Sequence, residues 1–254
     1  MILDLFKLDG KVALVTGAGQ GLGQGMALAL AEAGADIATL DRTGCKRTCE
    51  EIYDLGRRYF ESVIDLREAS VEQLKDVVAI VVKELGRIDI LINNAGTIRR
   101  TPAVDFSETD WDDVLQINLK AAFFLSQAVG RVMMSQGGGK IINVASMLSF
   151  QGGITVPSYT ASKSGIAGIT RALANEWAKH NINVNAIAPG YMATDNTAAL
   201  RADPNRSTSI LDRIPAARWG TPDDLKGTVV FLASPASEYL NGAIIPVDGG
   251  WLAR

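Results

Sequence analysis

The chain has 254 residues, a formal net charge of -3 and 47% hydrophobic residues, which is typical of one globular domain with a large core. Its acidic and basic residues are interspersed, so it lacks the basic stripe of a nucleic-acid-binding protein and the polybasic patch of a membrane-binding one. We recognise no export signal and no apolar stretch near the ~18 residues of a membrane span, and expect a cytoplasmic protein with small-molecule partners.

Cysteine and histidine are too scarce for two kinds of chemistry. Cys45 and Cys49 are the only cysteines and His180 is the only histidine, so no zinc ligand set is present and we expect no metal site. A Ser-His-acid hydrolase would need a G-x-S-x-G turn, which does not occur. We expect the cysteines to be a reduced, structural pair on one helix, and His180 to be a solvated cap where a helix ends.

Short apolar runs alternate with segments of helical period along the chain, as in β-α-β units. The predicted strands are residues 11–16, 36–41, 60–64, 88–92, 140–145, 183–188 and 243–247. The predicted helices are residues 22–33, 46–57, 71–85, 111–134, 158–179 and 223–232. Because the strands are almost continuously hydrophobic, helices should cover both sheet faces. The sequence predicts one α/β domain over residues 1–254, a Rossmann-type doubly wound sheet of seven parallel strands.

The first predicted strand leads into a glycine-rich turn, TGAGQGLG. Gly17 permits a tight turn, Gly21 lets a pyrophosphate approach the backbone, and Gly23 allows close packing of the helix. Gln20 adds no positive charge, and Leu22 opens a helix whose free N–H groups attract phosphates. This turn indicates a dinucleotide site.

The second predicted strand ends at Asp41, about twenty residues beyond the turn, where a carboxylate accepts hydrogen bonds from the adenosine ribose. The same carboxylate repels a 2′-phosphate, so NAD is favoured. NADP stays open, because the guanidinium of Arg42 accommodates that phosphate if Asp41 turns away.

Three polar residues later in the chain are candidates for proton transfer. Tyr159 and Lys163 are four apart on a predicted helix and share one face. A free phenol has a pKa of about 10, so a nearby ammonium is needed to favour the phenolate. Ser146 ends the fifth predicted strand, at the carboxyl edge where ligands bind, and its hydroxyl can hold the substrate oxygen that Tyr159 protonates.

One segment interrupts the alternation of strands and helices. Residues 191–215, which we call the lid segment, are rich in Ala, Thr, Asp, Asn and Arg and lie between the sixth strand and the last helix. A long irregular segment in this position is a candidate substrate lid.

Taken together, the motifs resemble the short-chain dehydrogenase/reductase family over the whole chain. The shared motifs are T-G-x-x-x-G-x-G at residues 16–23, N-N-A-G at 93–96, Asn118, Ser146, Y-x-x-x-K at 159–163 and P-G at 189–190. The resemblance implies hydride transfer between a nicotinamide and a carbonyl or secondary alcohol, with Tyr159 as proton donor and acceptor. It also implies a homotetramer.

The resemblance further implies roles that spacing does not establish. Lys163 would bond the nicotinamide ribose, and Asn118 would organise a water leading from Lys163 to solvent, completing a catalytic set with Ser146 and Tyr159. The implied cofactor contacts are Asp65 and Leu66 at the adenine, Asn94 and Ala95 beside the adenosine ribose, and Pro189, Gly190 and Thr194 at the nicotinamide carboxamide.

Further stretches resemble the members of the family that act on sugar acids from uronate and pectin breakdown, namely RR at 99–100, SMLSFQGGI at 146–154, NEWAKHNINVNAIAPGYMAT at 175–194 and the terminal DGGWLAR. A sugar acid carries a carboxylate, so a cation is expected near the pocket. The candidates are Arg99, Arg100, Arg213 and Arg218, and the residues leave the choice open. Gln151 is close enough to Ser146 in sequence to reach sugar hydroxyls.

Two alternatives remain at this point. A reductase of another polyol, of gluconate or of an acyl thioester would share the catalytic residues. A regulator that senses NAD without turnover would share the nucleotide turn but would not need Asn118, Ser146, Tyr159 and Lys163 together.

Overall fold

The computed structural model describes residues 1–254 and contains one sheet of seven strands. They are β1 Val12–Thr16, β2 Asp36–Asp41, β3 Tyr59–Val63, β4 Ile90–Asn93, β5 Gly139–Val144, β6 Ile182–Pro189 and β7 Ile244–Val247. All neighbouring strands are parallel, in the order β3-β2-β1-β4-β5-β6-β7. The predicted fold class is confirmed. The strand order reverses between β1 and β4, which places a ligand crevice at their carboxyl ends.

Helices cover both faces of this sheet. They are α1 Gly21–Glu32, α2 Lys46–Asp54, α3 Val71–Leu85, α4 Glu108–Leu115, α5 Ala122–Gln136, α6 Pro157–Trp177, α7 Ala198–Ala202, α8 Pro204–Leu211 and α9 Asp223–Ala233. A π-helical turn, Gln116–Ala121, joins α4 to α5. None of the helices has both the length and the apolar character needed to cross a bilayer.

The core has two layers because successive strand residues point to opposite faces. In β1, which is buried along its whole length, Val12 and Leu14 pack into the layer beneath α3, α5 and α6. Ala13 and Val15 pack into the other layer, beneath α1 and α9. Burial on both faces explains why β1 has no polar alternation, as the sequence predicted.

Three local predictions are wrong. The helix predicted at 111–134 begins earlier, at Glu108, because the Ser107 hydroxyl caps α4 by accepting from the Asp110 amide at 3.1 Å. It is also not a single helix, because the π turn separates α4 from α5. His180 is not the cap of α6: it lies in a 3-10 turn, and Asn181, at φ 58°, takes the left-handed position. Cys45 precedes α2 instead of lying on it.

The two thiols are free, and Cys45 is buried. Burial raises the pKa of the Cys45 thiol to about 11, so it is protonated and unreactive at neutral pH.

The lid segment is more ordered than an irregular loop, since it contains α7 and α8. The Asp203 carboxylate caps α8 by accepting from the amides of Asn205 and Arg206 at 3.0 and 3.1 Å. Ile210 and Ile214 are each 4% exposed and pack in a small cluster with Met147 and Trp251. The lid segment therefore rests on the chain just after Ser146.

Candidate active site

The glycine-rich turn leaves β1 with Gly17 at φ 66°, a conformation that glycine adopts without strain. A methyl group on Gly23 would collide with the carbonyl of Gly17. No side chain caps the first turn of α1, whose N-cap is Gln20 and whose second residue is Leu22. The turn therefore presents free N–H groups beside a backbone cradle, which fits a pyrophosphate.

Thr16 and Asn94 hold the turn against the end of β4. The Thr16 hydroxyl accepts from the amides of Asn94 and Ala95 at 3.0 and 2.9 Å. The Asn94 side chain donates to the carbonyls of Thr16 and Gly17 at 2.9 and 3.0 Å. The Asn94 amide group is thus used within the protein, and it shapes the cradle.

Asp41 ends β2 beside the same turn. Its carboxylate accepts from the Gly19 amide at 3.0 Å and from the Thr43 amide at 3.3 Å, so it points toward the turn. Arg42 is exposed. A fixed negative charge at this position favours ribose hydroxyls over a 2′-phosphate.

Two further pairs of predicted cofactor residues lie at the same sheet edge. Asp65 and Leu66 follow β3, and the Asp65 carboxylate accepts from the Arg67 amide at 2.9 Å. Pro189 ends β6, and the Gly190 amide donates to the Val247 carbonyl at 3.0 Å.

Thr194 lies beside the glycine-rich turn. A Cβ built on Gly21 would lie 3.7 Å from the Thr194 methyl group. The start of the lid segment therefore lies beside the start of α1.

Ser146, Tyr159 and Lys163 are brought together between β5 and α6. Lys163 is 4% exposed, its Nζ donates to the Val144 carbonyl at 2.6 Å, and it lies 5.6 Å from the centre of the Tyr159 ring. Ser146 is buried, and its hydroxyl accepts from the Leu148 amide at 3.1 Å while facing the Tyr159 phenol.

The electrostatics of this group follow from its burial. Removal from water raises the pKa of Tyr159, whereas the Ser146 hydroxyl and the positive charge of Arg100 both lower it. Burial lowers the pKa of Lys163 to about 8. The phenol is therefore protonated at neutral pH and ready to donate.

Asn118 lies in the π turn and is fully engaged. Its Oδ1 accepts from the Thr97 amide at 2.8 Å, and its Nδ2 donates to the Thr97 carbonyl at 2.9 Å and to the Ser162 hydroxyl at 3.1 Å. The Ser162 hydroxyl donates to the Tyr159 carbonyl at 2.8 Å. Asn118 thus fixes the end of β4 to the helix that carries Tyr159.

The four candidate arginines differ in what holds them. Arg99 is paired with Asp110 at 3.0 Å and with Asp113 at 3.4 Å. Arg218 forms a bidentate pair with Asp224 at 2.6 and 2.8 Å. These two guanidinium groups are neutralised by carboxylates of the chain itself.

Arg100 and Arg213 have no such carboxylate. Arg100 contacts only the Asn196 carbonyl, at 3.4 Å, and its charge acts on Tyr159. Arg213 lies 4.1 Å over the Trp251 ring. The Oε1 of Gln151, the other candidate for the substrate, accepts from Trp251.

Motif analysis included Thr16 in the glycine-rich motif without giving it a role, and it missed two other residues that position this site. They are Ser162, described above, and Ser149, whose hydroxyl accepts from the Ser146 amide at 3.3 Å and donates to the Lys163 carbonyl at 2.7 Å. Only the i,i+3 spacing of Ser146 and Ser149 signalled a local cap; hydroxyl contacts between distant segments leave no pattern in the sequence.

Comparisons with known proteins agree with this geometry. The family model for short chain dehydrogenases matches residues 11–205. The chain is 62% identical over 255 residues to the 2-dehydro-3-deoxy-D-gluconate 5-dehydrogenase of Escherichia coli (strain K12), with 100% of both chains covered. It is 54% identical to the enzyme of the same name from Bacillus subtilis (strain 168), covering 99% of this chain and 98% of that one.

Similar chains of known structure include some with bound NADP. A gluconate 5-dehydrogenase from Burkholderia cenocepacia J2315, in complex with NADP and tartrate, is 38% identical with a TM-score of 0.96 and 100% of both chains covered. A structure from Agrobacterium tumefaciens with bound NADP is 52% identical with a TM-score of 0.93, covering 99% of this chain and 100% of that one.

Proposed function

The chain belongs to the short chain dehydrogenase family, and within it we propose that it is an NAD-dependent 2-dehydro-3-deoxy-D-gluconate 5-dehydrogenase. The observation that carries the proposal is the meeting of Ser146, Tyr159 and Lys163 beside a dinucleotide cradle, in a chain 62% identical to a relative with that name. In the reductive direction the substrate is 2,5-diketo-3-deoxygluconate and the product is 2-keto-3-deoxygluconate.

The chemistry divides between the cofactor and the chain. Bound nicotinamide supplies the hydride for reduction, or accepts it in oxidation. The Ser146 hydroxyl holds the ketone oxygen, and Tyr159 gives that oxygen its phenolic proton as negative charge develops on it. The Lys163 ammonium stabilises the phenolate that is left, and it would also bond the ribose of a bound nicotinamide. Oxidation of the alcohol reverses these steps.

Asn118 acts as a positioning residue in this scheme. Its side chain is occupied by Thr97 and Ser162, so it aligns Tyr159 through its contacts. A π turn also loosens the regular pairing of backbone carbonyls. A water that carries protons from Lys163 to solvent would bind at this turn.

NAD is proposed over NADP on the position of Asp41. Its carboxylate is held beside Gly19 by two amide hydrogen bonds, which keeps its charge where a 2′-phosphate would lie. The adjacent Arg42 offers a compensating charge, and NADP is bound in relatives of known structure. NADP use therefore remains the second arm of the test.

Arg100 is proposed to bind the carboxylate of the sugar acid. Of the two arginines after N-N-A-G, Arg99 is already paired with Asp110 and Asp113. Arg100 has no carboxylate partner and its charge reaches Tyr159. A guanidinium there holds the acid end while the ketone faces the phenol.

We propose the setting from the resemblance alone: a cytoplasmic homotetramer, assembled through α6 and the C-terminal segment, in the breakdown of pectin-derived uronates. Trp251 itself packs inside its own chain at 4% exposed, so Leu252 and α6 carry the proposed contacts.

The test follows NADH and NADPH absorbance with 2,5-diketo-3-deoxygluconate, and the oxidised cofactors with gluconate and 2-deoxygluconate. We expect turnover of the diketo acid with NADH, and a shift toward NADPH in Asp41→Ser. Turnover confined to gluconate would support the alternative gluconate 5-dehydrogenase, the activity named for the 38% identical Burkholderia structure. Cofactor binding without turnover of any ketone would support the NAD-sensing regulator.

A further inference from the structure

Trp251 joins the chain that follows Ser146 to the lid segment. It is 4% exposed and packs with Met147, the residue after Ser146, and with Ile210 of the lid segment. The ring of Tyr191, which follows β6, lies 4.8 Å away at an interplanar angle of 63°. One side chain therefore contacts the chain beyond β5, the chain beyond β6 and α8.

The edge of the indole fixes the orientation of an amide. Trp251 Nε1 donates to Oε1 of Gln151 at 3.3 Å. An indole N–H is only a donor, so it pairs with the oxygen of an amide and never with its nitrogen. The half-buried Gln151 side chain is thereby left with Nε2, two N–H donors that bond no acceptor in the chain.

The face of the indole holds a cation. The guanidinium carbon of Arg213 lies 4.1 Å from the centre of the Trp251 ring, within cation–π range. Arg213 forms no ion pair with any carboxylate of the chain, in contrast to Arg218. Trp251 thus holds the Gln151 amide and the Arg213 guanidinium. Each has N–H donors available, and neither has a free acceptor.

We propose that Trp251 is a positioning residue that sets Gln151 as a hydrogen-bond donor to an acceptor oxygen of the substrate, a carboxylate or a ketone, with Arg213 adding positive charge. This rests on the proposed function, because the diketo acid carries such oxygens at C1 and C2, at the end of the molecule away from the reacting C5 ketone. Without the indole N–H the Gln151 amide turns freely, and half of its orientations present oxygen to oxygen.

The first test is Trp251→Phe, which keeps an aromatic ring for Arg213 and Tyr191 but removes the N–H. We expect the KM of the keto acid to rise about two-fold, because about half of the amide orientations still present a donor. The kcat and the Kd of NADH should stay close to the wild-type values, whereas the smaller buried ring should lower the Tm. An unchanged KM would overturn the proposal.

Coupling provides the second test. In Gln151→Leu the amide is gone, so adding Trp251→Phe to that variant should raise KM no further. Independent effects that multiply in the double variant would overturn the proposal.

Gln151→Glu provides a third test, which applies even if the Trp251→Phe variant folds poorly. The carboxylate still accepts from Trp251 but presents an acceptor to the substrate, so KM should rise more than in Gln151→Leu. Equal or smaller loss in Gln151→Glu would overturn the proposal.

Turnover by the wild-type enzyme distinguishes failure of the proposed function from failure of the role proposed for Trp251. If it reduces a different keto acid, the proposed substrate is wrong, and the same three comparisons are made on the ketone that it does reduce. No turnover of any ketone would overturn both.

Discussion

At the scale of single residues, burial shifts the pKa values of Tyr159 and Lys163 in opposite directions. Burial disfavours whichever form is charged, so it raises the pKa of the phenol and lowers that of the ammonium. A phenol with a raised pKa stays protonated at neutral pH, so it holds the proton that reduction of a ketone requires. A lysine with a pKa of about 8 can exchange protons with solvent near neutrality. The pair is therefore suited to reduction at neutral pH.

This pair predicts a pH dependence. The pKa of Lys163 is about 8, so kcat/KM for ketone reduction should fall as pH rises through about 8, because the phenolate loses its ammonium partner. Initial rates from pH 6 to 10 measure this. A flat profile across that range would contradict the role assigned to Lys163.

The free energy of unfolding provides the control, because the contribution of Lys163 to it changes with pH in the opposite direction to the activity. In the unfolded chain Lys163 recovers its ordinary pKa of 10.5, so between about pH 8 and 10.5 the unfolded state binds more protons. The contribution of Lys163 to stability therefore rises with pH in the window where activity falls. Loss of activity in that window would thus not reflect loss of this part of the fold.

At the scale of elements, the turn between β1 and α1 depends on packing that allows no side chain at one position. A methyl on Gly23 would collide with the Gly17 carbonyl, and overpacking of this kind costs about 1–3 kcal/mol. We predict that Gly23→Ala lowers the Tm and weakens NADH binding, measured by thermal unfolding and by NADH fluorescence titration.

The matched control lies in α9. Gly227 is also a helical glycine, but a Cβ built on it meets nothing within 4 Å. Gly227→Ala should stabilise the protein by about 0.5–1 kcal/mol, because alanine is the better helix former, and leave NADH binding alone. Equal behaviour of the two variants would contradict the account of the cradle.

Strands and site motifs were the predictable part, for a physical reason. Continuous apolar runs such as β1 reflect burial on both faces, and the spacing of Tyr159 and Lys163 is fixed by one helix. The π turn at Gln116–Ala121 was not predictable, since its residues do not break the helical pattern. Neither were the helices of the lid segment, which the Asp203 cap and two buried isoleucines stabilise.

The contacts of the two arginines after N-N-A-G were also not predictable from the sequence. Sequence placed Arg99 and Arg100 side by side as equal candidates. Their difference comes from Asp110 and Asp113, which approach Arg99 only once α4 is folded. Pairings between side chains on separate elements depend on tertiary geometry, which local spacing does not encode.

At the scale of the whole molecule, the parallel sheet collects distant residues at one edge. Because every strand runs the same way, the carboxyl ends of β1, β2, β4, β5 and β6 lie together. Asp41 ends β2, and the glycine-rich turn, Asn94, Ser146 and Gly190 each follow one of the other four ends. The cofactor cradle and Ser146 thus come from a single architectural rule, and α6 carries Tyr159 to the same edge.

The central claim is that this edge transfers a hydride from nicotinamide to a keto acid while Tyr159 supplies the proton. It is tested most directly by reducing 2,5-diketo-3-deoxygluconate with NADH dideuterated at C4 and examining the product by mass spectrometry. We predict one deuterium on the new carbinol carbon with the wild type, and no product above background with Tyr159→Phe, although that variant still binds NADH. Product without deuterium, or Tyr159→Phe at the wild-type rate, would contradict the account.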